Sequence, residues 1–165
     1  MKMLRLLSIA LIVVVFPGVA YGQTREHFES KLGKPTQVRD SVQTYKGPRG
    51  ERVIVDFGSD ERASHVIISA ERSGDQKKEE MQSLGFWVTG MTKELRRLID
   101  LAEELVPSSM RGRFCSSTFN IGNCINVTHQ IYEFAVVSID NNFCDGYSIN
   151  INFRRSVCQE KKQRR

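Results

Sequence analysis

The chain has 165 residues, 40% of them apolar and 26% charged, close to the average for globular domains and far from the profile of a disordered protein. That length fits one domain or two very small ones and excludes a large multidomain enzyme. The formal net charge is +5, but six bases (Arg154, Arg155, Lys161, Lys162, Arg164 and Arg165) crowd the last twelve residues against Glu160 alone.

Residues 1–22 have the layout of a secretory signal peptide: basic Lys2 and Arg5, an apolar run from Leu6 to Phe16, a Pro17-Gly18 break and the small-residue site Ala20-Tyr21-Gly22. The apolar run is shorter than the about 20 residues a membrane span needs. No Cys stands at the expected cleavage point, Gly22-Gln23, so lipid attachment is not expected. The mature chain is therefore expected to be secreted or periplasmic, beginning at Gln23. Without Lys2 and Arg5 it carries 22 bases against 19 acids, and the excess belongs to the tail.

The mature chain divides into a first helix-plus-meander unit (23–71), a charged linker with the Trp segment (72–90), a second, disulfide-bearing unit (91–153) and the basic tail (154–165). A short helix is expected after Thr24 as N-cap, with Phe28 and Leu32 four apart, Gly33 past its end and Pro35 beyond. Three strands follow: Val38 to Lys46, Arg52 to Phe57 after the Gly47-Pro48-Arg49-Gly50 turn, and Ser64 to Ala70. The linker 72–82 is charged and apolar-poor, and it leads into Phe86 and Trp87.

The strongest helix signal comes next. Met91, Leu95, Leu98, Ile99, Ala102, Leu105 and Val106 share one face, Thr92 stands as a cap and Pro107 as a stop. Its charges run against the helix dipole, arginines early and Glu103 and Glu104 late, so packing must dominate its stability. After a Gly/Ser-bearing stretch (108–123), strands are expected at Ile125 to Ile131, Glu133 to Ile139 and Tyr147 to Phe153, with a loop from Asp140 to Gly146. The apolar parity switches between the first two, which calls for a bulge or tight turn at Tyr132-Glu133. The fold class is α+β: two small helix-plus-antiparallel-meander units, read as an internal repeat sharing one sheet.

All four cysteines lie in the C-terminal third, and an exported chain favours two disulfides over a zinc site, whose ligands would be more closely spaced. Cys144 and Cys158 flank opposite ends of a strand about 23 Å long at about 3.3 Å per residue, too far apart to bond directly. If Cys124 opens a strand antiparallel to Glu133 to Ile139, it arrives near Cys144. That reasoning pairs Cys124 with Cys144 and leaves Cys115 for Cys158.

Signals for catalysis are sparse. His129 shares its strand face with Ile125, Val127 and Ile131 and reads as a half-buried, hydrogen-bonded histidine. His65 reads as an exposed strand residue and His27 as the polar side of a short helix. No metal-ligand pair, nucleophile elbow or phosphate-binding loop is present. The acid pairs Asp56/Asp60 and Asp140/Asp145 sit at hairpin ends, where turn chemistry alone explains them. Asn126-Val127-Thr128 matches the glycosylation acceptor but falls inside an expected strand.

The run FESKLGKPT, Tyr45, the Gly-Pro-Arg-Gly turn and the hairpin VIVDFGSDERASHVIIS together resemble the SmpA/OmlA small outer-membrane lipoproteins and the related β-lactamase inhibitor protein-like fold, over residues 28–70. Asp56 and Phe57 stand in reversed order from that pattern, and the lipid-bearing Cys is missing. The resemblance implies a periplasmic or secreted binding module without catalysis and carries over no functional residue.

The leading expectation is an exported, non-catalytic binding or scaffold module that needs no cofactor and takes a protein partner through a sheet face or its loops, with Phe86, Trp87 and Phe143 as candidate contacts. A second reading is an anionic-polymer or envelope-surface binder using Arg154, Arg155, Lys161, Lys162, Arg164 and Arg165. A third is a small secreted hydrolase built around His129 or His65.

Overall fold

The computed structural model describes residues 22–71, 93–121, 125–142, 146–154 and 158. Eight strands form one antiparallel sheet in the order β1-β2-β3-β4-β8-β7-β6-β5. The strands are β1 (Gln37–Arg39), β2 (Val42–Lys46), β3 (Arg52–Phe57), β4 (Ala63–Glu71), β5 (Phe114–Ile121), β6 (Ile125–Tyr132), β7 (Ala135–Asn142) and β8 (Gly146–Phe153). The helices are α1 (Arg25–Leu32), α2 (Lys93–Leu105) and the single turn α3 (Ser108–Arg111). Each meander runs outward-in, so the last strands of the two, β4 and β8, meet at the centre.

α1 follows Thr24 and ends at Gly33, whose φ of 78° is left-handed and whose N–H closes on the Glu29 carbonyl at 2.9 Å. It drives Phe28 into an aromatic cluster with Tyr45 and Phe57, with ring centroids 6.2 and 5.8 Å away. Tyr45 is hydrogen-bonded to the equally buried Gln43. Burial pushes its phenol up to about 12, with Glu29 adding to the shift and Arg25 opposing it.

α2 lays Leu95, Leu98, Leu101, Ala102 and Leu105 onto β4 and β8, over Val66, Ile68, Ile149 and Ile151. Its unfavourable charge order is answered from outside the helix. Lys31 of α1 bridges Glu104 at 3.1 Å. The buried Arg111 guanidinium donates to Glu103 at 2.6 Å and to the Val106 carbonyl at 2.7 Å, placing a cation at the negative end of α2.

Eight strands stand where six were expected. Val38 to Lys46 is broken by a turn at Asp40-Ser41, where Asp40 has φ 50°, a conformation Asp tolerates better than most residues. The Gly/Ser-bearing stretch 108–123, where the sequence predicts no element, supplies α3 and β5. The parity switch between β6 and β7 is a tight turn at Glu133-Phe134. Gly112, at φ 75°, packs under that turn so closely that a Cβ would stand 2.6 Å from the Phe134 ring, which requires glycine there.

Two bulges complete the sheet. Asp56 opposes His65 and Phe57 opposes Ala63, so Ser64 is extra and both Ala63 and Val66 face the core despite unlike parity. In β5, Phe114 opposes Tyr132 and Ser116 opposes Ile131, so Cys115 is the extra residue. Cys115 is bonded to Cys158, with Cα atoms 5.9 Å apart, which ties the chain beyond β8 back to the outermost strand. Cys124 and Cys144 lie outside the described residues, although the register does set Ile125 opposite Asn142.

Candidate binding face of the sheet

Cross-strand partners share a face of the sheet, so the register sorts every side chain. One row on the helix side reads Tyr45, Val53, Ile68, Ile149, Ile139, Thr128, Phe119. Its first five members belong to the core or pack against it, and the last, Phe119, is 59% exposed. The described helices pack on this side, through Phe28 of α1, the apolar stripe of α2 and Arg111 of α3, whose guanidinium lies 5.7 Å from the Tyr132 ring centroid.

The opposite face carries no described helix. Its middle row reads Thr44, Ile54, Ile67, Asn150, Ser138, His129, Thr118 from β2 to β5. On one side of it lie Lys46, Arg52, Ser69, Ser148, Asp140, Val127 and Asn120; on the other, Val42, Asp56, His65, Asn152, Val136, Ile131 and Ser116. At about 4.8 Å between strands, these rows span roughly 30 Å.

The centre of this open face is a self-satisfied polar network. Asn150 Nδ2 and the Ser148 hydroxyl each donate to Asp140 Oδ2 at 3.0 Å, and Asn150 Nδ2 also reaches Ser148 Oγ at 3.2 Å. On the next strand pair, His129 Nδ1 and Ser138 Oγ are 2.8 Å apart. Ile54 and Ile67, opposed on β3 and β4 and half-buried, form an apolar step beside it. Networked short side chains have little rotamer freedom left to lose, and the isoleucines add apolar area beside them.

His129 is half-buried and hydrogen-bonded as expected, but it faces the open side with Val127 and Ile131, not the core. His65 sits on the same face, two strands beyond Asn150's neighbour Ser138, opposite Asn152. His27 stays on α1, edge-on to Phe28 at 5.7 Å. The hydrogen bonds of Asp140 run to Ser148 and Asn150 rather than to the imidazole, so Ser138, His129 and Asp140 do not form a serine-histidine-aspartate relay. Asp56 accepts from Ser41, and Asp60 accepts from the Arg62 backbone N–H. Among the described residues no cluster of three His, Cys, Asp or Glu side chains is placed to hold a metal ion. No helix among them is long and apolar enough to cross a membrane.

Phe86, Trp87 and Phe143 lie outside the described residues, as do Arg155, Lys161, Lys162, Arg164 and Arg165. Arg154 is exposed, and its Nε donates to Asn152 Oδ1 at 3.3 Å. Asn126 of the glycosylation triplet lies within β6 with its Oδ1 buried and without a hydrogen-bond partner.

Sequence reasoning missed Ser138, Ser148, Asn150, Ile54 and Ile67. The available signal was in β8, where the residues alternating with the core are Ser148, Asn150 and Asn152. Comparison with known protein families, curated proteins and solved structures finds no match to this chain.

Proposed function

We propose that this chain is an exported, non-catalytic binding module that takes a protein partner on the open face of its sheet. The observation that carries the reading is the one-sided placement of the described helices, which leaves a broad face with a preorganised Asp140–Ser148–Asn150 network beside an Ile54–Ile67 step. An open sheet face of this breadth suits another protein's surface better than a small molecule, whose sites are concave. Export rests on the layout of residues 1–22 and agrees with the Cys115–Cys158 disulfide, since such bonds persist in oxidising compartments. Pairing of Cys124 with Cys144 belongs to the same reading.

The strand order supports a two-unit organisation: α1 with β1–β4 and α2 with β5–β8, each a four-strand meander, joined antiparallel at β4 and β8. The resemblance of residues 28–70 to the β-lactamase inhibitor protein-like fold points the same way.

The test is affinity capture from an extract of the export compartment, comparing wild type with Ile54→Glu/Ile67→Glu and with Arg97→Glu on the exposed side of α2. The reading expects the captured protein to be lost at least about tenfold, or about 1.4 kcal/mol, with the sheet variant. The helix variant should capture as wild type does. Equal capture by a folded sheet variant overturns the reading.

A further inference from the structure

The two edges of the sheet are treated differently. β1 is three residues long, carries Arg39, and is bracketed by Lys34, Pro35 and Asp40. Short length, charge and proline are the devices that keep a sheet edge from pairing with another chain. β5 has eight residues, and neither it nor its neighbour β6 contains Asp, Glu, Lys, Arg or Pro. Ser117, Thr118, Phe119 and Asn120 are exposed, and β5 has no strand partner beyond β6 among the described residues.

We propose that the free edge of β5 is a homodimer contact, where a second copy of this chain pairs antiparallel and joins two eight-stranded sheets into one. The Cys115 bulge ends the regular edge on one side, so pairing runs over positions 116 to 121. A twofold axis that continues the sheet stands normal to it, and opposed residues then share a face. Positions whose numbers sum to an even value therefore meet. An axis at Thr118 sets Phe119 against the partner's Ser117; an axis at Phe119 sets it against the partner's Phe119. Either way Phe119, now 59% exposed, comes within one position of the axis and leaves water.

A second copy fits this edge for two reasons. An uncharged strand read against itself brings no like charges together, whereas a charged foreign strand would find no countercharge on it. The pairing is also closed: each copy's remaining edge is the short, charged β1, so the contact stops at two chains instead of growing into a fibre. The dimer would lay two open faces side by side. His129 of one copy would then sit about 14 Å from its equivalent, three strand spacings away. This contact stands independently of what the open face binds.

The experiment is the solution mass, by light scattering or sedimentation, of the oxidised protein recovered after export, over about 1 to about 100 µM. The variants are Phe119→Lys, Phe119→Glu, their equimolar mixture, and Val38→Lys on the β1 edge; circular dichroism and the mass of the intact disulfide verify folding. Wild type and Val38→Lys are expected to reach twice the monomer mass. Phe119→Lys and Phe119→Glu alone should stay at the monomer mass, and their mixture should regain the doubled mass through opposite charges at the axis. A wild type that remains monomeric throughout, or a folded Phe119→Lys that still doubles, overturns the proposal; so does an edge found occupied by an unrelated chain.

Discussion

At one end of the sheet, β2 and β3 lie beneath Phe28 of α1, and Tyr45, Val53, Val55 and Phe57 are all at most 3% exposed. At the other end, β5 and β6 extend past the helices: of their helix-side residues Tyr132 packs against the core, while Ser117, Phe119, Thr128 and Gln130 do not belong to it. The first end is held by apolar burial. The second is held by backbone pairing to β7, by the Cys115–Cys158 bond and by Arg111 against Tyr132. A sheet can thus extend beyond its core where covalent and charged ties replace packing, and the uncovered strands are where surfaces for other molecules arise.

The sharpest way to break this contrast is Phe28→Ala, which opens a cavity under three aromatic rings and is expected to cost about 4 kcal/mol, read as a fall in the urea midpoint at unchanged slope. A loss under about 1 kcal/mol would mean that burial does not hold the first end. Cys115→Ser with Cys158→Ser removes a bridge spanning 43 residues and should cost about 4 kcal/mol on the chain-entropy scale. Its effect should be local: amide exchange in β5 and β6 should rise well before that in β3 and β4.

Titration sharpens the first end further. Tyr45 has its pKa raised in the fold from 10.0 to about 12, so the unfolded chain loses the phenolic proton first. Its contribution to stability is complete below pH 10 and is lost as pH rises through that window. By its top the loss is about 2 kcal/mol, measured as the difference from Tyr45→Phe, which lacks this slope. Arg111→Ala leaves the Val106 carbonyl and Glu103 without their donor and should cost between about 1 and 2 kcal/mol. Ile67→Lys gives up half-buried apolar area against Ile54 but lets the charge reach water along its stem, and should cost no more than about 1 kcal/mol, read as a shift of the urea midpoint.

The elements with strong periodicity were legible. The apolar stripe of α2 from Leu95 to Leu105, the alternation of Tyr147 to Phe153 and the Gly33 stop each fix one local choice that the fold then uses. What stayed hidden depended on distant partners. β5 reads as FCSSTFNI, with neither alternation nor an apolar run, and becomes a strand only because β6 offers it a ladder. The split of Val38 to Lys46 turned on Asp40 accepting a left-handed conformation, a cost the β1–β2 pairing offsets. Arg111 carries no signal of its own in the sequence, and its burial follows from the α2 carboxyl end lying above it. The open-face network was out of reach because Asp140, Ser148 and Asn150 meet only once β7 and β8 pair.

The most direct measurement places a photocrosslinking side chain at Ile67, at Asn150 and, on the exposed side of α2, at Arg97, and irradiates the protein in its own compartment. The account predicts one crosslinked protein of defined mass from Ile67 and Asn150, and none from Arg97. A crosslink from Arg97 with silence at both sheet positions would contradict it.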